Sequence, residues 1–162
     1  MAVSVFKRML VPIDGTLQSA AVVPYAAALA QALNCEVDVL LVEPIDGARL
    51  PHPDHHRQAA EEDAPRGATA VGTRTPAHIR EANERYVRHH VEEFEALGVK
   101  ATGRVAWGYA VESILAAALE LRSDVIAMAS RKMVNFQQRE TGSVSEEVLW
   151  RSKLPVLMVA SG

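Results

Sequence analysis

Short apolar runs alternate along the chain with longer segments of helical periodicity, and this alternation constrains the fold more than any other feature. The apolar runs lie at 7–14, 36–42, 99–107, 124–129 and 155–160, and the helical segments at 17–33, 76–97, 110–121 and 142–150. Several of the runs are almost continuously apolar, which is typical of strands buried on both faces. The order predicts a doubly wound, Rossmann-like α/β sandwich with five parallel strands and four helices.

Two prolines bear on the first strand and helix. Pro12 lies in the first strand and has no N–H to donate, so we expect the regular strand to weaken there. Pro24 falls inside the helix predicted for 17–33, where it should remove a hydrogen bond and bend the helix. The patchier run at 99–107 is predicted to lie near an edge of the sheet.

The size and charge of the chain limit the number of domains and the kinds of partner that it can have. The 162 residues are enough for one domain with a core (1–162), and the net charge of −3 gives no reason to expect nucleic acid as a partner. No apolar run approaches the ~20 residues needed to cross a bilayer, so no membrane partner is expected. The single cysteine, Cys35, fits a reducing compartment and is interpreted as a small buried hydrophobe. Without a recognisable signal peptide, the predicted location is cytoplasmic.

The segment 43–75 interrupts the strand–helix alternation. It is rich in proline, and its apolar residues are too sparse to bury, so we expect a long mobile loop. His52, His55 and His56 lie in it, but no cysteine and no second ligand group of clear spacing accompanies them. Structural or solvated histidines are therefore favoured over a metal site.

The strongest signal for a site lies in the fourth strand and the helix that follows it. The strand-like run 124–129 leads through a polar gap to Gly142 and Ser143, and Ser143 and Glu146 have the spacing of a capping box. The start of a helix offers N–H groups and the positive end of the helix dipole to an anion. Because ligands of doubly wound sheets lie beyond the carboxyl ends of the strands, Asp14 and Val42 are expected at the same crevice. From the residues alone, Asp14 is equally well explained as a cap of the first helix and its turn.

The chain resembles the universal stress protein family over nearly its whole length. The resemblance rests on Met9–Thr16, Leu41–Val42, Gly108 with Glu112, Asp124–Arg131, Gly142–Leu149 and Pro155–Val159. It implies a nucleotide site formed by Pro12, Asp14, Val42, Ala129, Ser130, Arg131, Lys132, Gly142, Ser143, Val144 and Ser145. In this site Asp14 would face the ribose and the backbone of Val42 the adenine. Ser130 to Lys132 would line the phosphates, and Gly142, Ser143 and Ser145 would hold the phosphate tail.

The implied cofactor is ATP or another adenine nucleotide, with Mg²⁺, and the alternative is an empty site. Nucleotide-binding members carry a glycine, two residues, a second glycine, nine residues, then glycine and Ser or Thr. Here the spacing is intact, but Ala129 and Lys132 replace the first two glycines. An alanine can replace the glycine at position 129 if φ is negative there. The ammonium of Lys132 would either contact the phosphates or fill the groove.

The last strand is predicted to be an apolar sheet edge that pairs with a second copy of the chain. This edge consists of Val156, Leu157, Met158 and Val159. Trp107 and Trp150 are interpreted as core or interface residues. No Ser-His-Asp or Cys-His arrangement can be identified, so no catalytic residue is predicted, and any ATP hydrolysis would be slow and incidental.

Three functions follow from these features. The leading hypothesis is a homodimeric stress-response protein that binds an adenine nucleotide, with ATP as the first candidate, as a sensor or regulatory module. The second is a dimeric interaction module that keeps the fold without nucleotide. The third is an enzyme of the wider adenine-nucleotide α-hydrolase type, against which the small size and the absence of a substrate domain argue.

Overall fold

The computed structural model of the protein describes residues 5–44, 76–131 and 143–161. Its strands are β1 (Arg8–Ile13), β2 (Glu36–Glu43), β3 (Ala101–Trp107), β4 (Val125–Arg131) and β5 (Val156–Ser161). Its helices are α1 (Leu17–Ala20), α2 (Val23–Leu33), α3 (Pro76–Ala96), α4 (Ala110–Glu120) and α5 (Val144–Arg151). All strands are parallel, in the order β3-β2-β1-β4-β5. The predicted doubly wound α/β fold is confirmed, with β3 and β5 at the ends of the strand order.

Helices cover both faces of the sheet, and alternate residues of each strand supply the two cores. On one face Met9, Val11 and Val39 pack in a cluster with buried residues of α2 and α3, including Phe94. On the other, Leu10, Leu40 and Ile126 pack with Ile114 of α4 and Val148 of α5. Burial of both faces explains why the strands have almost continuous apolar runs instead of an alternating pattern.

The helix predicted for 17–33 is broken in two, which corrects the expectation of one bent helix. α1 ends at Ala20, and α2 begins at Val23 with Pro24 in its first turn. The ring of Pro24 would collide with the carbonyl of residue 20 in a continuous helix, whereas the first turn needs no N–H from it. Asn34 ends α2 in the left-handed conformation, with φ 52°, as its residue type suggests.

The effect of Pro12 falls on one side of β1 only. The β1–β2 register continues past it to Ile13↔Leu41, but the β1–β4 register ends at Leu10↔Ile126. The strand itself therefore continues through Pro12, while its pairing with β4 stops.

Backbone directions in the ladders explain this asymmetry. The carbonyl of Arg8 accepts from Asp124 N–H next to β4 (2.8 Å), whereas that of Lys7 accepts from Glu36 N–H of β2 (2.9 Å). Alternate residues of a strand point their backbone groups to the same neighbour, so Pro12 shares the direction of Arg8. The missing N–H is therefore one that would have faced β4. As a result, β1 and β4 are unpaired toward their carboxyl ends, at the point where the winding of the sheet reverses.

Helix α3 packs unusually close to the edge strand β3. A Cβ added at Gly103 would lie 2.3 Å from Cγ1 of Val87 and 2.9 Å from Cγ2 of Val91, so only glycine allows this approach. Helical spacing in the sequence predicts an inner stripe on this helix, which comprises Ile79, Ala82, Tyr86 or Val87, His90, Phe94 and Leu97. The prediction is correct at His90 and Phe94, which are buried.

The structure corrects two predicted packing residues and removes one of two interpretations for two others. In the predicted stripe, Ala82 and Leu97 are exposed, the latter because it follows the end of α3. Trp107 and Trp150 are 45% and 84% exposed, so neither is a core residue, and their role at an interface stays a prediction. Cys35, by contrast, is buried as predicted, and burial raises the pKa of its thiol.

A buried ionic network joins three strands near the amino edge of the sheet. The carboxylate of Asp38 is 3% exposed and accepts from the guanidinium of Arg8 (2.8 Å) and from Oγ1 of Thr102 (2.7 Å). The neighbouring Asp124 accepts from the backbone N–H groups of Lys7 and Arg8. These contacts lie at the edge opposite to the carboxyl ends of the strands, so they support the sheet without entering the crevice.

Candidate functional site

The candidate site is the crevice between the carboxyl ends of β1 and β4. Asp14 follows β1 directly, and β4 ends at Arg131. The chain leaves β4 there and returns at Ser143, which begins α5. Since α5 runs back to the amino end of β5, its N-terminus lies at the carboxyl edge of the sheet. The sequence-predicted segments that the structure describes therefore meet along one edge.

Asp14 is held in a tight turn. Its Oδ1 accepts from the N–H and the Oγ1 of Thr16, at 2.9 and 2.6 Å, and its own N–H donates to Oγ of Ser19 at 3.1 Å. Gly15 has φ 85°, the left-handed region that this turn requires. Thr16, not Asp14, caps α1, with its Oγ1 accepting from Ser19 N–H. Asp14 therefore caps the turn that precedes α1, while Thr16 caps the helix itself. The carboxylate of Asp14 lies exposed at the rim.

Val42 lies in β2, one residue beyond its last register pair with β1. Even-numbered residues of β2 direct their backbone groups toward β1, as the bond from Glu36 N–H to Lys7 O indicates. The last pair is Ile13↔Leu41, so the carbonyl of Val42 points to the side where β1 has already ended. A backbone acceptor at this position faces the crevice rim and not the β3 ladder.

The end of β4 differs from the prediction. The expected strand stops at Ala129, but β4 continues through Ser130 and Arg131, which are in register with Ala160 and Ser161. Pairing with β5 extends the strand, so these two residues belong to the last part of β4, at the carboxyl end of the sheet, and not to a loop. Ala129 is half-buried and packs against the α2–α3 core.

Ser143 is the N-cap of α5, as the capping-box spacing predicts. Its Oγ accepts from Glu146 N–H at 3.2 Å and lies 3.2 Å from Oγ of the buried Ser145. Its carbonyl accepts from Glu147 N–H. A helix supplies no acceptor for the first N–H groups of its own chain, which here are those of Val144 and Ser145. These donors and the positive helix end are directed to the carboxyl edge of the sheet.

Of the remaining predicted site residues, Pro12 is buried within β1. Lys132 and Gly142 lie outside the described residues, as do the three histidines at 52–56 and nearly all of the predicted loop 43–75.

Tyr86 of α3 reaches this site from a distant part of the sequence. Burial and the nearby charge of Asp14 raise the pKa of its hydroxyl to about 12. Its ring meets that of His90 edge-on, with centroids 4.7 Å apart. Sequence reasoning placed Tyr86 only in the apolar stripe of the helix, and no local pattern signals its proximity to Asp14.

The family of the chain is decided by its match to a family model. The model of the universal stress protein family matches residues 6–160. The chain belongs to the universal stress protein family. The resemblance inferred from the motifs is thus confirmed over almost the whole sequence.

Solved structures of universal stress proteins share the fold at low sequence identity. One universal stress protein, in complex with cAMP, has a TM-score of 0.68 and 18% identity, with 97% of this chain and 98% of that chain covered. The same fold is found in a protein described as the hypothetical protein MJ0577, with a TM-score of 0.70 and 22% identity and with 98% of each chain covered. A universal stress protein from Archaeoglobus fulgidus, in complex with dAMP, has a TM-score of 0.62 and 16% identity, with 95% and 98% covered. A comparison with curated protein sequences finds no match.

Neither a metal-binding cluster nor a membrane-spanning helix is found in the described part of the chain. Residues 5–44, 76–131 and 143–161 contain no group of three or more His, Cys, Asp or Glu side chains that could hold a metal ion. Within the same ranges, none of the helices has the length and apolar character needed to span a bilayer.

Proposed function

We propose that this universal stress protein binds an adenine nucleotide, with ATP as the leading candidate, and acts as a sensor or regulatory module in a stress response. The observation that carries the proposal is the arrangement at the carboxyl edge of the sheet. The unpaired ends of β1 and β4 lie there together with the exposed carboxylate of Asp14, the carbonyl of Val42 and the capped N-terminus of α5. This combination suits a ligand with hydroxyls at one end and phosphates at the other.

Each part of the arrangement matches one part of a nucleotide. A carboxylate accepts hydrogen bonds from ribose hydroxyls, and a backbone carbonyl accepts from an exocyclic amine. The N–H groups of Val144 and Ser145, with the helix dipole behind them, suit phosphate oxygens. Ser143 and Ser145 add two hydroxyls. Mg²⁺ would be held chiefly by the phosphates and water, since that ion keeps several of its waters in such sites.

The relatives support the adenine base. The structures with cAMP and dAMP share only the fold with this chain, yet both ligands are adenine nucleotides. We extend this ligand class to the present chain, together with a cytoplasmic location and a homodimer through β5. The proposed role is regulatory binding, with any ATP hydrolysis slow and incidental.

Two serines at opposite ends of α5 provide a matched test. Ser143→Ala removes the N-cap, and Ser152→Ala removes a hydroxyl that bonds Leu154 at the other end. Calorimetry should show that Ser143→Ala weakens ATP binding several-fold, while Ser152→Ala leaves it unchanged. Equal effects of the two variants, or no ATP binding by the wild-type protein, would contradict the proposal.

The second candidate, an interaction module without nucleotide, is favoured by one feature. Lys132 replaces a glycine of the family's phosphate loop, and its side chain could fill the groove. This alternative predicts that the wild-type protein binds neither ATP nor adenosine and still forms the dimer.

A further inference from the structure

We propose that the groove between α3 and the outer edge of β3 binds a short acidic segment of a partner protein, which adds to the sheet as an extended strand beside β3. The inference goes beyond the proposed nucleotide function, because β2 separates β3 from the crevice between β1 and β4. The occupant is a protein segment, recognised by its backbone and by its negative charge.

The backbone of β3 offers hydrogen bonds on its outer side. The carbonyl of Lys100 and the N–H of Gly108, which flank the strand, each bond the backbone of β2 at 2.9 Å. Even-numbered residues therefore direct their backbone groups to β2, and odd-numbered residues such as Gly103 and Val105 direct theirs outward. Among the strands that the structure describes, β3 pairs with β2 alone. An edge of this kind can accept a further strand.

The groove beside this edge has a partly apolar lining. Its volume is about 540 Å³, and Val87 and Val91 of α3 line it where they approach Gly103. Val105 is half-buried there, and Trp107, 45% exposed, lies at the carboxyl end of the strand. The side chains of an added strand on the α3 face would therefore meet apolar groups as well as polar ones.

The charges that line the groove are mainly positive. Arg80, Arg88 and Arg104 contribute to the lining, against the single carboxylate of Glu84. Arg104 is paired with Glu120 at 3.2 Å. Within the described ranges, the exposed side chains of Arg80 and Arg88 form no ion pair. Two arginines are thus available to a negatively charged partner, although the net charge of the whole chain is −3.

The spacing of these arginines specifies a pattern in the partner. Arg80 and Arg88 are separated by eight residues, or ~12 Å along the axis of α3. An extended strand advances ~13 Å in four residues, and its residues i, i+2 and i+4 point to one face. Carboxylates at i and i+4 would therefore reach the two arginines. An apolar residue at i+2 would lie over Val87 and Val91.

Two other occupants fit the edge less well. A nucleic acid supplies negative charge, but its backbone carries no row of N–H donors to match the outward carbonyls of β3. A second copy of the chain could pair with the edge, but two-fold pairing through β3 would bring the arginines of both copies together.

The test uses peptides that differ in charge or in strand-forming capacity. The probe is the peptide acetyl-TTETVTETT-amide, and its binding would be followed by the fluorescence of Trp107 in a Trp150→Phe background, which leaves a single tryptophan. We expect saturable binding of this peptide. A peptide with lysine at both glutamate positions, and the acidic peptide with its three central N–H groups methylated, should each bind at least about tenfold more weakly.

Two arginines of α3 provide the matched pair of variants. Arg88→Gln should weaken the acidic peptide about two- to fivefold, the range expected for an exposed ion pair. Arg85 lies on the same helix, pairs with Glu81 and does not line the groove, so Arg85→Gln should leave the affinity unchanged.

Absence of binding by the acidic peptide, equal binding of the lysine or methylated peptide, or equal effects of the two arginine variants would overturn the inference. Tighter binding of a ten-nucleotide oligothymidylate than of the acidic peptide would also overturn it, in favour of a nucleic-acid site. Dissociation of a wild-type dimer by the acidic peptide, seen by light scattering, would indicate that a second copy occupies the edge. None of these results bears on nucleotide binding, which is measured separately.

Discussion

Ala129 shows how one departure from the family's glycine pattern is accommodated. It lies in the extended backbone of β4, paired with Val159, and among the described non-glycine residues only Asn34 and Arg122 have positive φ. An alanine is therefore unstrained here, and its methyl group packs against the core instead of facing the crevice. The replacement is compatible with a ligand, so the test of the pattern falls on Lys132.

Lys132 is predicted to contact the phosphates, and its charge can be removed without changing the length of the side chain much. Lys132→Met should weaken ATP binding about tenfold, because a hydrogen bond to a charged group is lost, and should leave adenosine binding unchanged. Calorimetry with both ligands measures this difference. The contrary result is tighter ATP binding by Lys132→Gly, which would mean that the side chain obstructs the groove.

Tyr86 should make stability depend on alkaline pH. Its folded-state pKa of about 12 lies above the ordinary value of 10, because burial, Asp14 and Glu93 disfavour the phenolate. The neutral phenol therefore stabilises the fold fully below pH 10, and this contribution is lost as the pH rises toward 12. Urea unfolding of wild-type and Tyr86→Phe proteins from pH 8 to 11.5 should show the wild type losing stability relative to the variant above pH 10. A constant difference across this range would contradict the assigned environment.

Among the elements, the strands near the amino edge depend on the buried carboxylate of Asp38. Asp38→Ala leaves the guanidinium of Arg8 and the hydroxyl of Thr102 without their acceptor, and we expect a cost of about 3 kcal/mol in the free energy of unfolding. This value is at the low end for broken buried pairs because the Arg8 side chain is 35% exposed. Urea unfolding measures the change.

Thr102→Val is the control for that network. It removes a single hydroxyl bond to Asp38 and should cost about 1 kcal/mol. Neither variant should alter ATP affinity, since the network lies at the edge opposite to the crevice. A cost for Asp38→Ala no larger than that for Thr102→Val would show that the ionic pair contributes little.

Periodicity in the sequence was sufficient to predict the number of strands, their parallel direction and their positions along the chain, but not their order in the sheet or the details that shape the site. Pro24 is compatible either with one bent helix or with two separate helices, and the helical spacing of apolar residues is similar in both cases. The break after Ala20 could therefore not be predicted. The two extra residues of β4 are polar and basic, and only their pairing with β5 makes them strand. Likewise, the sequence shows that residue 12, a proline, has no N–H to donate. Which adjacent strand lacks that hydrogen bond is known only from the order of the strands in the sheet.

At the scale of the whole molecule, β5 offers an edge for a second copy. It ends the strand order, and a groove of about 460 Å³ runs along it, lined by Tyr25, Leu29, Leu157, Met158, Val159 and Ala160. The carbonyl of Pro155 accepts from Ile126 N–H, so odd-numbered residues face β4 and even-numbered residues direct their backbone groups outward. Pairing about a two-fold axis would join two such edges in antiparallel fashion.

A substitution at Ala160 tests this dimer with little change in packing. Ala160 is exposed and even-numbered, so Ala160→Pro removes an outward N–H without affecting the bonds to β4. Light scattering coupled to size exclusion should show a dimer for the wild type and for Ala160→Ser, which keeps the N–H, and a monomer for Ala160→Pro. A monomeric wild type, or an unchanged Ala160→Pro dimer, would contradict pairing through β5.

The candidate site combines segments of different predictability. Asp14, Val42 and Ser143 could be predicted because each adjoins the carboxyl end of a strand or begins a helix, and parallel strands bring such ends together. Tyr86 could not, because its proximity to Asp14, whose charge raises its pKa, depends on how closely α3 packs beside the sheet. Local patterns thus predict residues attached to regular elements, whereas residues that support them through tertiary packing require the structure.

The most direct test of the central claim is to denature the purified protein and identify any released nucleotide by chromatography and mass spectrometry, followed by calorimetry of the nucleotide-free protein with ATP. The account predicts release of ATP, ADP or AMP, or binding of added ATP that Ser143→Ala weakens. A protein that releases no nucleotide and also fails to bind added ATP would contradict it and favour the interaction module.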